Sequence, residues 1–240
     1  MVTRTEVSSE QRYWDGIPAR IVLQPVAAPS ILGLFGFAGA TFLVAANMAG
    51  WYGDANTPNF IFPFAAVFGG LAQFLAGMWA YRARDGLATA MHGMWGSFWM
   101  AYGVLFALFA TGVLTEPTGK FVELGFWFVV LGAITWMGAF AALGESLGLF
   151  GVLGTLAAGS TLAAIGLITG TSGVEKAAGD VFVASAIIAW YVASAMMLEG
   201  VFGRVVLPVG KYTRAANIPG GKVTEPVEFS RGMPGVKVGQ

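Results

Sequence analysis

Apolar residues fall in long solid runs along most of this chain, with polar and charged positions gathered between the runs and at both ends. Six runs occupy residues 30–50, 59–81, 87–114, 121–143, 147–169 and 179–203. Each is about 20 residues or more, enough for a helix rising ~1.5 Å per residue to cross a hydrocarbon core of roughly 30 Å. Barrel strands would alternate apolar and polar positions, so the pattern predicts helices. The chain therefore reads as an all-α integral membrane protein with six transmembrane helices. Residues 1–29 form an N-terminal arm, 30–210 the six-helix membrane domain, and 211–240 a tail.

Composition agrees. Hydrophobic residues make up 56% of the chain and charged residues 11%, with a mean hydropathy of +0.70. A soluble domain needs roughly a quarter of its residues charged, which argues against a soluble bundle of buried helices. The arm carries Arg4, Arg12, Arg20, Glu6, Glu10 and Asp15 and lacks the apolar core of a secretory signal. Its aromatic piece, Tyr13-Trp14-Asp15-Gly16-Ile17-Pro18, followed by Ile21-Val22-Leu23, is expected to lie along the membrane interface. The tail, rich in Pro, Gly and charge, reads as disordered or loosely docked. With no cysteine and a net charge of +0, the sequence gives no basis for disulfides, thiolate chemistry or nucleic-acid binding.

Charge sets the orientation. With both termini on one side, that side receives Arg4, Arg12, Arg20, Arg82, Arg84, Arg204, Lys211, Arg214, Lys222, Arg231 and Lys237, and the other only Lys120 and Lys176. The positive-inside rule then predicts cytoplasmic termini in a cell membrane.

Inside the runs, small residues recur at helical spacing. Ala65, Gly69, Gln73 and Gly77 follow one another at intervals of four, beside Gly70. The glycines predict close helix packing. Gln73 places a side-chain amide in hydrocarbon, where it either links helices or faces a wet path. In the third run, His92, Trp95, Trp99 and Tyr102 follow i, i+3, i+7, i+10 and share a face. His92 is the chain's single histidine. An ionisable residue within the membrane is a functional candidate; the plainer reading is a neutral imidazole bonded to a neighbouring helix.

The acidic residues Asp54, Asp85, Glu116, Glu123, Glu145, Glu175, Asp180 and Glu199 fall in loops or at run ends. No carboxylate or cation sits at a predicted midplane, where a carboxylate relay or cation pump would want one. One histidine cannot ligate haem from both sides or build a His-rich metal site. No phosphate loop or nucleophile elbow occurs. No enzyme, metal or cofactor is expected, and a path for a small solute fits better. Leu32-Gly33-Leu34-Phe35-Gly36 and Leu147-Gly148-Leu149-Phe150-Gly151 are alike, a weak sign of internal repetition.

Four stretches, in order and spacing, resemble the acetate uptake transporter family, or succinate–acetate permeases, of bacteria, archaea and fungi. They are Pro29 to Phe37, the Gly69 to Gly77 block GGLAQFLAG, Tyr81 to Trp99 ending in Gly96-Ser97-Phe98-Trp99, and Phe202 to Gly210. The resemblance covers the six runs and leaves out the arm and tail. It implies a six-helix pore within each protomer, a homohexamer, and passage of acetate and related small carboxylates, succinate among them, linked to protons. It also implies a narrow hydrophobic constriction of two aromatics and a leucine, carried over to Phe37, Trp95 and Leu156. Trp95 stands where the family leads one to expect tyrosine. Ala28-Pro29-Ser30-Ile31-Leu32-Gly33 departs from the family's Asn-Pro-Ala-Pro-Leu-Gly opening. Gly93 and Met94 replace small polar residues, and His92 is foreign to that position.

Together these give a set of expectations. Phe37, Trp95 and Leu156 form a dry gate. Gln73, Ser97 and Asn47 offer hydrogen bonds to a carboxyl group on either side, and His92 is a candidate proton lender. Gly33, Gly36, Gly69, Gly70, Gly77 and Gly96 serve helix packing. Two other functions compete: a channel for another small solute (ammonia, urea or a different monocarboxylate), and a non-transporting membrane scaffold or sensor.

Overall fold

The protein is described here by a computed structural model that covers residues 27–211, together with the backbone of 12–14 and 17–19. The remaining expectations for the arm, and those for the tail, lie outside the described residues. In the arm, Arg12–Trp14 pairs antiparallel with Ile17–Ala19 in a short hairpin.

Six helices are long and apolar enough to cross a membrane: Ser30–Met48, Thr57–Ala83, Gly86–Ala110, Val122–Ala142, Leu147–Thr169 and Ser172–Phe202. They are called spans one to six below. Most ends fall within two residues of the sequence expectation, and three of the differences have a local reason. Span one stops at Met48 because the chain turns at Gly50, whose φ of +79° suits only glycine well. Span three stops at Ala110, where Thr111 bonds back to the Ala107 carbonyl and Gly112 turns left-handed. Span six starts seven residues before the apolar run: Glu175 and Lys176 hide its first turns from hydropathy, although they are helical.

Span two contains a feature that spacing alone did not announce. Over Ala65–Ala72 its backbone hydrogen bonds run i→i+5. Pro63, which has no N–H to donate, and the Gly69-Gly70 pair flank or lie within this wider winding. On an ideal helix a stripe at four-residue intervals drifts round the axis, because a turn takes 3.6 residues. Looser winding offsets that drift, and Ala65, Gly69, Gln73 and Gly77 all remain on the buried face.

The spans form a ring in sequence order. Span one packs on two and six, two on three, four on five and five on six; the ring closes by a sparser contact between three and four. Small residues set the close approaches. A Cβ at Gly69 would lie 2.7 Å from both the Ala40 methyl and the Trp99 ring, and one at Gly96 would lie 2.6 Å from the Phe74 backbone nitrogen. One at Gly77 would lie 2.7 Å from the Gly93 nitrogen, one at Gly70 2.8 Å from the Met100 side chain, and one at Gly36 would collide with the Phe68 carbonyl. Large apolar side chains such as Phe60, Phe64, Phe68, Trp79, Trp127 and Phe140 point outward, as lipid contact demands.

The segment after span six folds back. Val209 and Gly210 accept hydrogen bonds from the Gly148 and Leu147 N–H groups, satisfying orphan donors at the start of span five. Lys211 pairs with Glu199 at 3.2 Å. The end of the described chain thus sits at the end of the bundle where spans one, three and five begin.

Candidate functional site

Spans one, three and five run in the same direction, and their matching depths bring three side chains together. Phe37, Trp95 and Leu156 stand seven, nine and nine residues from the starts of their helices, about 10–14 Å in at ~1.5 Å per residue. All three are 2% exposed and belong to one buried apolar cluster. The Phe37 and Trp95 rings meet edge to face, with centroids 6.3 Å apart and planes at 71°, a favourable arrangement of ring quadrupoles. The layer is packed shut. Two surface grooves, of about 340 Å³ between spans four and five and about 370 Å³ between spans two and three, are lined by none of these residues.

Partners that the sequence did not single out lock the layer. Trp95 Nε1 donates to Thr135 Oγ1 at 3.0 Å, and Thr135 in turn donates to the Leu131 carbonyl at 2.6 Å. Thr135 is the lone hydroxyl of span four, a signal that could have found it. A chain of rings continues from Trp95 to Phe98 at 5.4 Å, Phe98 to Phe128 at 5.4 Å and Phe128 to Phe182 at 5.8 Å. Trp95, Phe98 and Phe128 fill the seam between spans three and four, and Phe182 extends the chain of rings to span six.

The stripe expected on span three is buried along its whole length: His92, Trp95, Trp99 and Tyr102 all face inward. His92 is seated in a notch. A Cβ at Gly33 would fall within 2.5–2.7 Å of its imidazole atoms, so the ring occupies the space that Gly33 leaves. Its Nδ1 has no hydrogen-bond partner among the described residues, so the bond of the plainer reading is not seen at that atom. Gln73 is 3% exposed and its Oε1 is likewise unpartnered. Since Gly96 abuts the backbone of Phe74, Gln73 stands level with Ser97, about 3 Å along the axis from Trp95. Thr41 Oγ1, Asn59 Oδ1 and Trp99 Nε1 are also buried without partners. Nonpolar surroundings make such orphans costly, and these five lie on spans one to three.

Ser97 and Asn47 are placed differently. Ser97 is half-buried and donates to the Gly93 carbonyl at 2.8 Å, a local bond within its own helix. Asn47 lies ten residues beyond Phe37 and its Nδ2 donates to the Tyr52 carbonyl at 3.0 Å, fixing the turn after span one. Neither joins the layer of Phe37, Trp95 and Leu156.

Charge stays at the ends. At the end where the odd spans begin, burial and the nearby Asp85 carboxylate hold the Glu145 carboxyl above its ordinary range. At the other end Trp51 Nε1 donates to Asp180 at 2.9 Å.

Comparison with known proteins gives consistent matches. A family model described as the GPR1/FUN34/yaaH family matches residues 17–211. The succinate-acetate/proton symporter SatP of Escherichia coli (strain K12) is 29% identical over 188 residues, covering 78% of this chain and 96% of that protein. The ammonia transport outward protein 2 of Saccharomyces cerevisiae is 30% identical over 169 residues, covering 69% of this chain and 59% of that protein. A solved structure of the bacterial acetate channel SatP superimposes with a TM-score of 0.71 at 28% identity, covering 78% of this chain and all of the other.

Proposed function

The chain belongs to the GPR1/FUN34/yaaH family, and from that premise we propose that it is a permease for acetate and related small carboxylates, succinate included, moving together with protons. The observation that carries the reading is the layer of Phe37, Trp95 and Leu156, each 2% exposed, set at one depth by three parallel spans. An apolar neck of this kind gates by dewetting. A bare carboxylate entering it would lose hydration at a cost of several kcal/mol. An undissociated acid avoids most of that cost and carries its proton along. Solutes with a small apolar end pass when the Phe37, Trp95 and Leu156 side chains swing apart.

The protein acts in this reading within a cell membrane, with both termini cytoplasmic, as the basic residues direct. In this reading each protomer holds its own pore and protomers assemble as a homohexamer, as the family resemblance implies. The test is uptake of labelled acetate into proteoliposomes, compared with empty liposomes and challenged by unlabelled succinate, urea and ammonium. Acetate uptake that succinate reduces supports the proposal. Uptake that only ammonium reduces would favour the ammonia reading, which the similarity to the yeast protein keeps in view.

A further inference from the structure

We infer that His92, held in the Gly33 notch, is a substrate-recognition group that selects the undissociated carboxyl group, with Gln73 as its partner across the span two–three interface. The inference rests on the permease reading and goes beyond it by naming the side chains that read the protonation state of the solute.

Burial comes first. His92 is 5% exposed and Gln73 3%, yet His92 Nδ1 and Gln73 Oε1 bond to no described residue. Buried polar atoms ordinarily find partners, so these two are suited to a visiting ligand. Their placement is shared. Gly77 of span two abuts the backbone of His92 and Gly93, and Gly96 of span three abuts Phe74. His92 and Gln73 therefore differ in level by about five residues of helix, roughly 7 Å. A carboxyl group with a hydrogen bond of about 2.8 Å on each oxygen spans such an interval.

Chemistry then chooses the form of the ligand. A neutral imidazole offers one donor and one acceptor, and an amide offers both. An undissociated carboxyl group also presents both, an O–H and a C=O. A carboxylate presents acceptors alone and would want a cation. Among the described residues, its contacts at Gly33 of span one and Gly77 of span two supply none. The charged groups of spans two and three nearest it, Arg82, Arg84 and Asp85, lie at the helix ends, and Glu145 lies in the loop between spans four and five. The proton thus crosses as the O–H of the solute, with no proton transfer to the protein.

Gly33 is part of the device. Because an added Cβ would overlap the imidazole, Gly33→Ala displaces His92 without removing it.

The experiment measures labelled acetate uptake by wild type, His92→Leu, His92→Gln and Gly33→Ala in proteoliposomes, with acetamide as competitor. Acetamide is neutral, has the shape of acetic acid and both donates and accepts. The expected result is competition by acetamide in wild type. His92→Leu should raise the half-saturating acetate concentration about five- to tenfold, the loss of one hydrogen bond, and Gly33→Ala should shift it the same way. His92→Gln, which keeps a donor and an acceptor, should recover most of the loss. Wild-type uptake that ignores acetamide overturns the inference, whatever the variants do. So does folded, monodisperse His92→Leu with unchanged half-saturation, and either result leaves the permease reading standing. No acetate uptake by wild type overturns both.

Discussion

The indole of Trp95 is held by Thr135: Nε1 donates to Oγ1 at 3.0 Å across the seam between spans three and four. Because the hydroxyl also bonds to the Leu131 carbonyl at 2.6 Å, the indole is aimed by a donor chain anchored in the backbone. In the proposed gate a ring free to turn about its side-chain torsions would serve poorly, and this bond fixes its edge.

Thr135→Val keeps the shape and removes the acceptor. A buried indole N–H without a partner costs about 1–3 kcal/mol. The thermal midpoint of the purified protein in detergent should fall by several degrees. Uptake should also discriminate less between acetate and butyrate, checked by the ratio of labelled uptake.

Leu156→Ala opens the layer. Removing a fully buried leucine costs about 2–5 kcal/mol, depending on how far the neighbours collapse. The expected outcome is lower thermal stability with a relative gain in uptake of longer monocarboxylates over acetate. A chain-length series in proteoliposomes measures it.

Much of this architecture is legible in the sequence, and the failures have physical causes. Solid apolar runs locate all six spans, because hydropathy reports lipid contact directly. The start of span six escapes, since Glu175 and Lys176 are helical but not apolar. Spacing finds the His92-Trp95-Trp99-Tyr102 face, a property local to one helix. It does not find Thr135, Phe128 or Phe182, whose roles depend on which spans meet across the ring. Asn47 and Ser97 look like path residues because any polar group in an apolar run does. Their bonds to the Tyr52 and Gly93 carbonyls depend on a turn and a rotamer that spacing does not encode.

Glycines near the site separate into crowded and open positions. Gly69→Ala would place a Cβ 2.7 Å from Ala40 and Trp99, whereas a Cβ at Gly93 meets nothing within 4 Å. Overpacking costs about 1–3 kcal/mol. Gly69→Ala should lower the thermal midpoint clearly and Gly93→Ala should not, as scanning fluorimetry in detergent would show.

The Glu145 carboxyl titrates above its ordinary value of 4.5, through burial and the Asp85 charge. The folded state therefore binds that proton more tightly than the unfolded chain does. Its stabilising contribution is present below pH 4.5 and is lost as pH rises through the raised value. Glu145→Gln should flatten the fall in thermal midpoint over that window and match or exceed wild type above it.

The central claim is that small carboxylates cross each protomer through the layer of Phe37, Trp95 and Leu156. Labelled acetate uptake into proteoliposomes under an inward proton gradient, comparing wild type with a folded Leu156→Trp variant that plugs this layer, tests it most directly. The account predicts wild-type uptake well above empty liposomes and Leu156→Trp uptake close to that of empty liposomes. Equal uptake by the two proteins would contradict it.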